Sequence, residues 1–143
     1  MIIRAQKADV STVSALAARL FSAPVEELTE EFSQLLNSKE CAVFLLHIDS
    51  KPAGFAQCQL RHDYVEGTET SPVGYLEGIY VLPEHRCKGC ARELLVHCEQ
   101  WAREQGCTEF ASDCELDNDG SLAFHLKMGF TEANRIICFT KKL

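Results

Sequence analysis

Two kinds of chemically useful residue meet within one short stretch, residues 77–95. Glu77 stands in an apolar, strand-like run, Leu76-Glu77-Gly78-Ile79-Tyr80-Val81-Leu82, and Pro83 turns the chain. Arg86-Cys87-Lys88-Gly89-Cys90-Ala91 follows as a basic loop that leads into an amphipathic helix. The first turn of a helix carries backbone N–H groups without intrahelical acceptors. With the helix dipole, these groups favour an anion, typically a phosphate. A carboxylate on the strand just upstream favours a cation. The stretch therefore predicts a phosphorylated cofactor lying beside a cationic co-substrate.

The elements that must hold these residues can be read from periodicity and turn chemistry. Met1–Ala5 reads as a short strand. A helix opens at Asp9, with Val10, Val13, Leu16, Ala17 and Leu20 at helical spacing. Pro24 suits the first turn of a second helix, whose apolar face is Leu28, Phe32, Leu35 and Leu36. Cys41–Ile48 and Ala53–His62 form a hairpin around Asp49-Ser50-Lys51-Pro52. A polar loop, residues 63–73, leads to a strand over Gly74–Leu82. The helix after Gly89 buries Ala91, Leu94, Leu95, Cys98, Trp101 and Ala102 and is capped by Gly106. A strand over Thr108–Ser112, a helix over Asp117–Met128 and a last strand over Ile136–Thr140 complete the order. One α/β domain over residues 1–143, with a mixed sheet, accounts for it.

Composition narrows the function classes. The chain has 143 residues, 46% hydrophobic and 24% charged, as a soluble globular domain would. No apolar run reaches the roughly 18 residues of a membrane span, and the N-terminus lacks a secretory signal pattern. A cytoplasmic location is expected, with no membrane partner. With 21 acidic against 14 basic residues the formal net charge is −7, which disfavours nucleic acid and favours cationic partners. The eight cysteines do not read as a disulfide framework without a signal peptide. Cys87-Lys88-Gly89-Cys90 is a C-x-x-C with no second pair to complete a zinc site, so no metal is expected. Cys41, Cys58, Cys107 and Cys138 lie in strand-like runs and read as small core hydrophobes.

The loop Arg86–Ala91 resembles the R/Q-x-x-G-x-G/A loop of the GCN5-related N-acetyltransferases, and the element order is similar along the whole chain. A more specific resemblance, to the aminoglycoside 6'-N-acetyltransferases, lies in residues 64–73, in residues 76–83, in Phe110-Ala111-Ser112-Asp113, and in Asn118 with Gly129-Phe130. The resemblance implies an α/β fold whose mixed, mostly antiparallel sheet is flanked by helices. It implies acetyl-coenzyme A as co-substrate and the 6'-amino group of an aminoglycoside antibiotic as acceptor. It assigns Ile79, Tyr80 and Val81 to the acetyl and pantetheine groups. Arg86, Cys87, Lys88, Gly89, Cys90 and Ala91 fall to the pyrophosphate, and Asn118 to the coenzyme. Tyr64, Glu77 and Asp113 fall to the antibiotic side. Dimers are frequent in the family, and the last strand is a candidate contributor to one.

Three positions depart from the pattern. Phe21 stands where relatives have Trp, and it can stack on a sugar without the indole donor. Asn134 stands where some have Glu, which removes a carboxylate. His125 stands where many have a tyrosine that protonates the leaving thiolate. Glu77, Asp113 and His125 are thus the candidate catalytic groups, and Phe21, Tyr64, Glu77, Asp113 and Asn134 the candidate acceptor contacts. A carboxylate of ordinary pKa, about 4, is a weak base toward an ammonium several units higher, so orientation of the acceptor ranks ahead of base work for Glu77 and Asp113. Blander roles stay open on the residues alone. Glu77 can be an exposed strand residue, Asp113 a cap, His125 a satisfied helix residue and Tyr64 a packing aromatic. Acetylation of another amine, or coenzyme binding without catalysis, are the competing functions.

Overall fold

Both faces of the central sheet are covered, which is why its middle strands read as nearly continuous apolar runs. The computed structural model describes residues 1–143. Its strands are β1 (Ile2–Arg4), β2 (Cys41–Ile48), β3 (Lys51–Arg61), β4 (Val73–Val81) and β5 (Phe110–Ala111), and its α-helices are α1 (Val10–Phe21), α2 (Val25–Leu35), α3 (Cys90–Glu104) and α4 (Asp119–Lys127). The sheet runs in sequence order, antiparallel from β1 to β4 and parallel between β4 and β5. No helix is long and apolar enough to cross a membrane.

Alternation along β2 distributes the core. Ala42, Phe44 and Leu46 point to α3, where they meet Leu94, Leu95, Cys98 and Trp101. Val43 and Leu45 point to the other face and pack with Val13, Leu16, Leu28 and Phe32 of α1 and α2. Phe32 and Phe55 are fully buried and meet edge to face, with centroids 6.2 Å apart. Each such side chain stabilises the fold by about 1.5–3 kcal/mol through burial.

Two irregularities of β4 shape the site. Gln57 pairs with Gly78 while Cys58 pairs with Leu76, so Glu77 is an extra residue without a partner on β3. That is a β-bulge. On its other side, β4 pairs with β5 only at Gly74↔Phe110 and Tyr75↔Ala111. Gly74 permits this approach, since a Cβ there would lie 2.5 Å from the Phe110 ring. Beyond Ala111 the two strands part, and residues 76–81 of β4 have no strand beside them on that side.

The expected strand over Thr108–Ser112 is therefore shorter, because the fork ends its pairing. The expected last strand over Ile136–Thr140 does not form. Its residues are exposed and lack regular structure, with Ile136, Ile137 and Phe139 at 71%, 81% and 88% exposure. A strand needs an edge to pair with, and this segment pairs with none in its own chain. Cys138 lies in this tail and is exposed, whereas Cys41, Cys58 and Cys107 are buried as expected.

Candidate active site

The loop between β4 and α3 is built around two left-handed residues, Cys87 at φ 59° and Gly89 at φ 84°. Gly89 is the residue before the first turn of the 15-residue helix α3. No acceptor in the chain takes a hydrogen bond from the backbone N–H groups of residues 87–92; the first such bond in the helix runs from Glu93 to the Gly89 carbonyl. An ideal Cβ on Gly89 meets no atom within 4 Å, so the space over these groups is open. The basic side chains fasten the loop and do not line it. Arg86 donates through Nε to the Val81 carbonyl at 2.8 Å and lies over the Tyr80 ring. Lys88 donates through Nζ to the Glu84 carbonyl at 2.9 Å. Cys87 is an exposed free thiol, and Cys90 and Ala91 pack against the core under α3.

The bulge sets Glu77 at the centre of a polar network from three strands. Arg61, the last residue of β3, donates through Nε to one carboxylate oxygen of Glu77 and through Nη2 to the other, each at 2.9 Å. The Arg61 guanidinium lies 3.4 Å from the centroid of the Tyr75 ring. The Tyr75 hydroxyl donates to Asp113, just past β5. Burial raises the Glu77 pKa, the Arg61 guanidinium pulls it back, and the nearby Asp113 charge raises it again. The Tyr75 hydroxyl is held far above its usual range by burial and by Asp113, so it stays a donor. Phe21 closes one flank, for a Cβ on Gly78 would lie 2.8 Å from the tip of its ring.

A third group sits at the fork. The Ser112 hydroxyl lies 2.7 Å from Nε2 of His125 and 3.4 Å from the Leu76 carbonyl. Nδ1 of His125 lies 2.7 Å from the Ser121 carbonyl, which can only accept, so Nδ1 carries a proton. In a neutral imidazole Nε2 is then the acceptor, and the serine hydroxyl donates to it.

A backbone anion cradle, a forked strand and a pair of linked carboxylates thus share one strand–loop–helix unit. The model of the acetyltransferase (GNAT) family matches residues 12–130. The chain belongs to this family. A curated relative, the aminoglycoside N(6')-acetyltransferase type 1 of Acinetobacter haemolyticus, is 44% identical over 128 residues, 90% of this chain and 88% of that one. Its counterpart in Stenotrophomonas maltophilia is 46% identical over 121 residues, 84% and 76% of the two chains. Among solved structures, the aminoglycoside antibiotic 6'-N-acetyltransferase AAC(6')-Ih of Acinetobacter baumannii superposes with a TM-score of 0.96 at 37% identity, covering 100% of this chain and 98% of that one. AAC(6')-Iy, solved in complex with the bisubstrate analog CoA-S-monomethyl-acetylneamine, superposes at 0.95 and 33% identity, with the same coverage.

As a GNAT domain, the chain brings most of the expected residues to this unit. Glu77 and Asp113 join one network, and Phe21 flanks it. Ile79 and Val81 face the α3 core while Tyr80 faces the opposite one. Asn118 is the N-cap of α4, and its side chain accepts from the Ser121 N–H at 3.1 Å. Tyr64 is 77% exposed on the loop after β3. Asn134 donates to Glu66 at 3.0 Å, which places a carboxylate beside the position that lacks one. Arg61, Tyr75, Ser112 and Glu66 escape the sequence reading. An arginine and a glutamate on neighbouring strands are a weak signal for a pair, because the bulge that aligns them leaves no mark in the sequence.

Proposed function

We propose that this chain is an aminoglycoside 6'-N-acetyltransferase that acts as one domain over residues 1–143. Acetyl-coenzyme A supplies the acetyl group as a thioester. The observation that carries the reading is the run of unpaired N–H groups, residues 87–92, joined by β4 to the Glu77–Asp113 network. The first suits a pyrophosphate and the second an ammonium-rich acceptor. High similarity to the curated acetyltransferases over nearly the whole chain supports the same substrate class.

In this reading the backbone of residues 87–92 binds the pyrophosphate, and the unpaired edge of β4 at Ile79–Val81 receives the pantetheine and acetyl groups. Asn118, committed to capping, contributes by shaping the start of α4. Glu77 and Asp113 hold ammonium groups, while Phe21 and Tyr64 offer apolar faces to sugar rings. Asn134 orients Glu66. The acceptor nitrogen, after losing one proton to solvent, attacks the thioester carbon directly; the carbon–sulfur bond breaks as the amide forms and the nitrogen's second proton passes to solvent, and proximity within one cleft supplies much of the rate. Ser112 and His125 form the path by which a proton reaches the leaving sulfur: His125, after taking up a second proton at Nε2 from solvent, passes it to the Ser112 oxygen as the serine hydroxyl gives its own proton to the sulfur. Release of coenzyme A from acetyl-coenzyme A on adding a kanamycin- or tobramycin-like compound tests this reading. Turnover at the antibiotic-free background refutes it.

The chain works in the cytoplasm, where its eight free cysteines suit a reducing compartment. It pairs with a second copy through its C-terminal tail. Support comes from the exposed apolar tail residues and from β5, whose outer edge is unpaired. Sedimentation of the full chain at the monomer mass would refute the pairing.

A further inference from the structure

The Glu77 carboxylate is not free to meet an acceptor unassisted. Both its oxygens are already engaged by one guanidinium, at 2.9 Å each, and that guanidinium lies over the Tyr75 ring, 3.4 Å from its centroid. We propose that Arg61 is a positioning residue of the acceptor site, which clamps Glu77 in one orientation as an ionised carboxylate and leaves its remaining lone pairs to the acceptor ammonium. This rests on the aminoglycoside reading above, and deepens it by naming what sets the geometry and charge of the acceptor subsite.

The geometry favours a clamp over an incidental surface pair. The side chains are 37% and 19% exposed, so the pair is partly shielded from solvent. Bidentate contact fixes the carboxylate plane as well as its position, which a lysine would not do. Stacking on Tyr75 fixes the guanidinium in turn, and the Tyr75 hydroxyl is tied to Asp113. Glu77 and Asp113 are therefore held at a set spacing by a rigid Arg61–Tyr75 bridge. The charged and polar groups facing Glu77 are Arg61 and Gln59 of β3, Tyr75 of β4 and Asp113 beyond β5. From α1 it is Leu20 and Phe21 that reach the neighbouring Gly78. Only Arg61 in this set is cationic, and it is the main group that offsets burial of the carboxylate, with a smaller contribution from Gln59. The clamp lowers the proton affinity of Glu77 without bringing it down to that of an ordinary carboxylate, because burial outweighs it.

The test reads Glu77 itself. Carboxyl carbon-13 NMR of the free protein, with the Glu77 signal assigned through E77Q, follows its titration in the parent and in R61Q and R61K. In R61Q the midpoint rises by about 1–3 pH units, since an adjacent opposite charge is worth that much. In R61K the rise is smaller. Acetyl-transfer kinetics run alongside. R61Q lowers kcat/KM for an aminoglycoside about 10-fold near pH 6, mainly through KM, and recovers as pH rises. A midpoint in R61Q within about 0.3 units of the parent, or an equal loss at every pH, overturns the proposal. If R61Q does not fold, R61K decides, because a parent-like midpoint and acid-side kcat/KM would show that the bidentate clamp is not needed. The titration needs no acceptor, so failure of the aminoglycoside reading would leave the parent enzyme inactive without touching this result.

Discussion

Replacing Gly89 by alanine separates the shape of the loop from its ligand. Gly89 precedes α3 with φ 84°, and Gly106 follows the far end of the same helix with φ 88°. An ideal Cβ on either meets no atom within 4 Å. Both variants therefore carry the same penalty, that of a side chain in left-handed backbone, about 1–2 kcal/mol. For a chain of this size the matching fall in Tm is roughly 3–7 °C. What differs is the neighbourhood of the new methyl. At 106 it enters solvent. At 89 it stands among the unpaired N–H groups of residues 87–92. A hydrogen bond to a charged oxygen is worth about 1.5–3 kcal/mol, so loss of one weakens acetyl-coenzyme A binding about 10–150-fold. Isothermal titration calorimetry with acetyl-coenzyme A, paired with thermal unfolding, reads both quantities. The expected pattern is equal loss of stability in G89A and G106A but loss of affinity in G89A alone. Equal affinities in the two variants would refute the assignment of the cradle, because the strain they share would then be the whole effect.

Gly78→Ala pushes a Cβ to 2.8 Å from the Phe21 ring and 3.1 Å from Leu20, so the ring must move; the acceptor KM should rise several-fold with acetyl-coenzyme A affinity kept, and an unchanged KM would remove Phe21 from the acceptor site. Ser112→Ala and His125→Ala should each lower kcat about 100-fold, and the double variant should be no worse than either; additive losses in single-turnover assays would argue against a shared proton path. Glu109 accepts hydrogen bonds from the N–H groups of Glu69 and Thr70 and from the Thr70 hydroxyl, which holds its carboxyl below the usual range. A lowered folded pKa means that this anchor is fully present above the unfolded value of 4.5 and is lost as pH falls through the folded one. Amide exchange at residues 69 and 70 should therefore accelerate relative to its intrinsic rate as pH falls below 4.5, and E109Q should abolish that dependence.

The helices and long strands were legible because their apolar spacing is decided locally. Val13, Leu16 and Ala17 mark a buried helix face wherever they pack, and Gly89 and Gly106 mark the ends of α3 because the backbone there must turn left-handed. The glycine loop before α3, with its unpaired N–H groups, was legible for the same reason, since it is made of backbone. The tail was not. Ile136-Ile137-Cys138-Phe139 has the composition of a strand, but composition cannot say which edge it pairs with, and no edge in its own chain takes it. Arg61 and Tyr75 were missed because their contacts depend on register, and register depends on an inserted residue that has no sequence signature.

That inserted residue ties the two halves of the site together. In a regular strand Leu76, Gly78 and Tyr80 would share one face, since side chains alternate. Here Leu76, Ile79 and Val81 all enter the core beneath α3, while Gly78 meets α1 and Tyr80 joins the opposite core. Only an extra residue between Leu76 and Gly78 allows this. Ile79 and Val81 lie in the core beneath α3, so they help to fix where that helix and its unpaired N–H groups sit. The same extra residue is Glu77, turned toward Arg61. A change that restored regular pairing between β3 and β4 would flip Ile79 and Val81 out of the α3 core as well as withdrawing Glu77. Coenzyme and acceptor binding would then fail together, even though the loop and the acceptor network share no side chain.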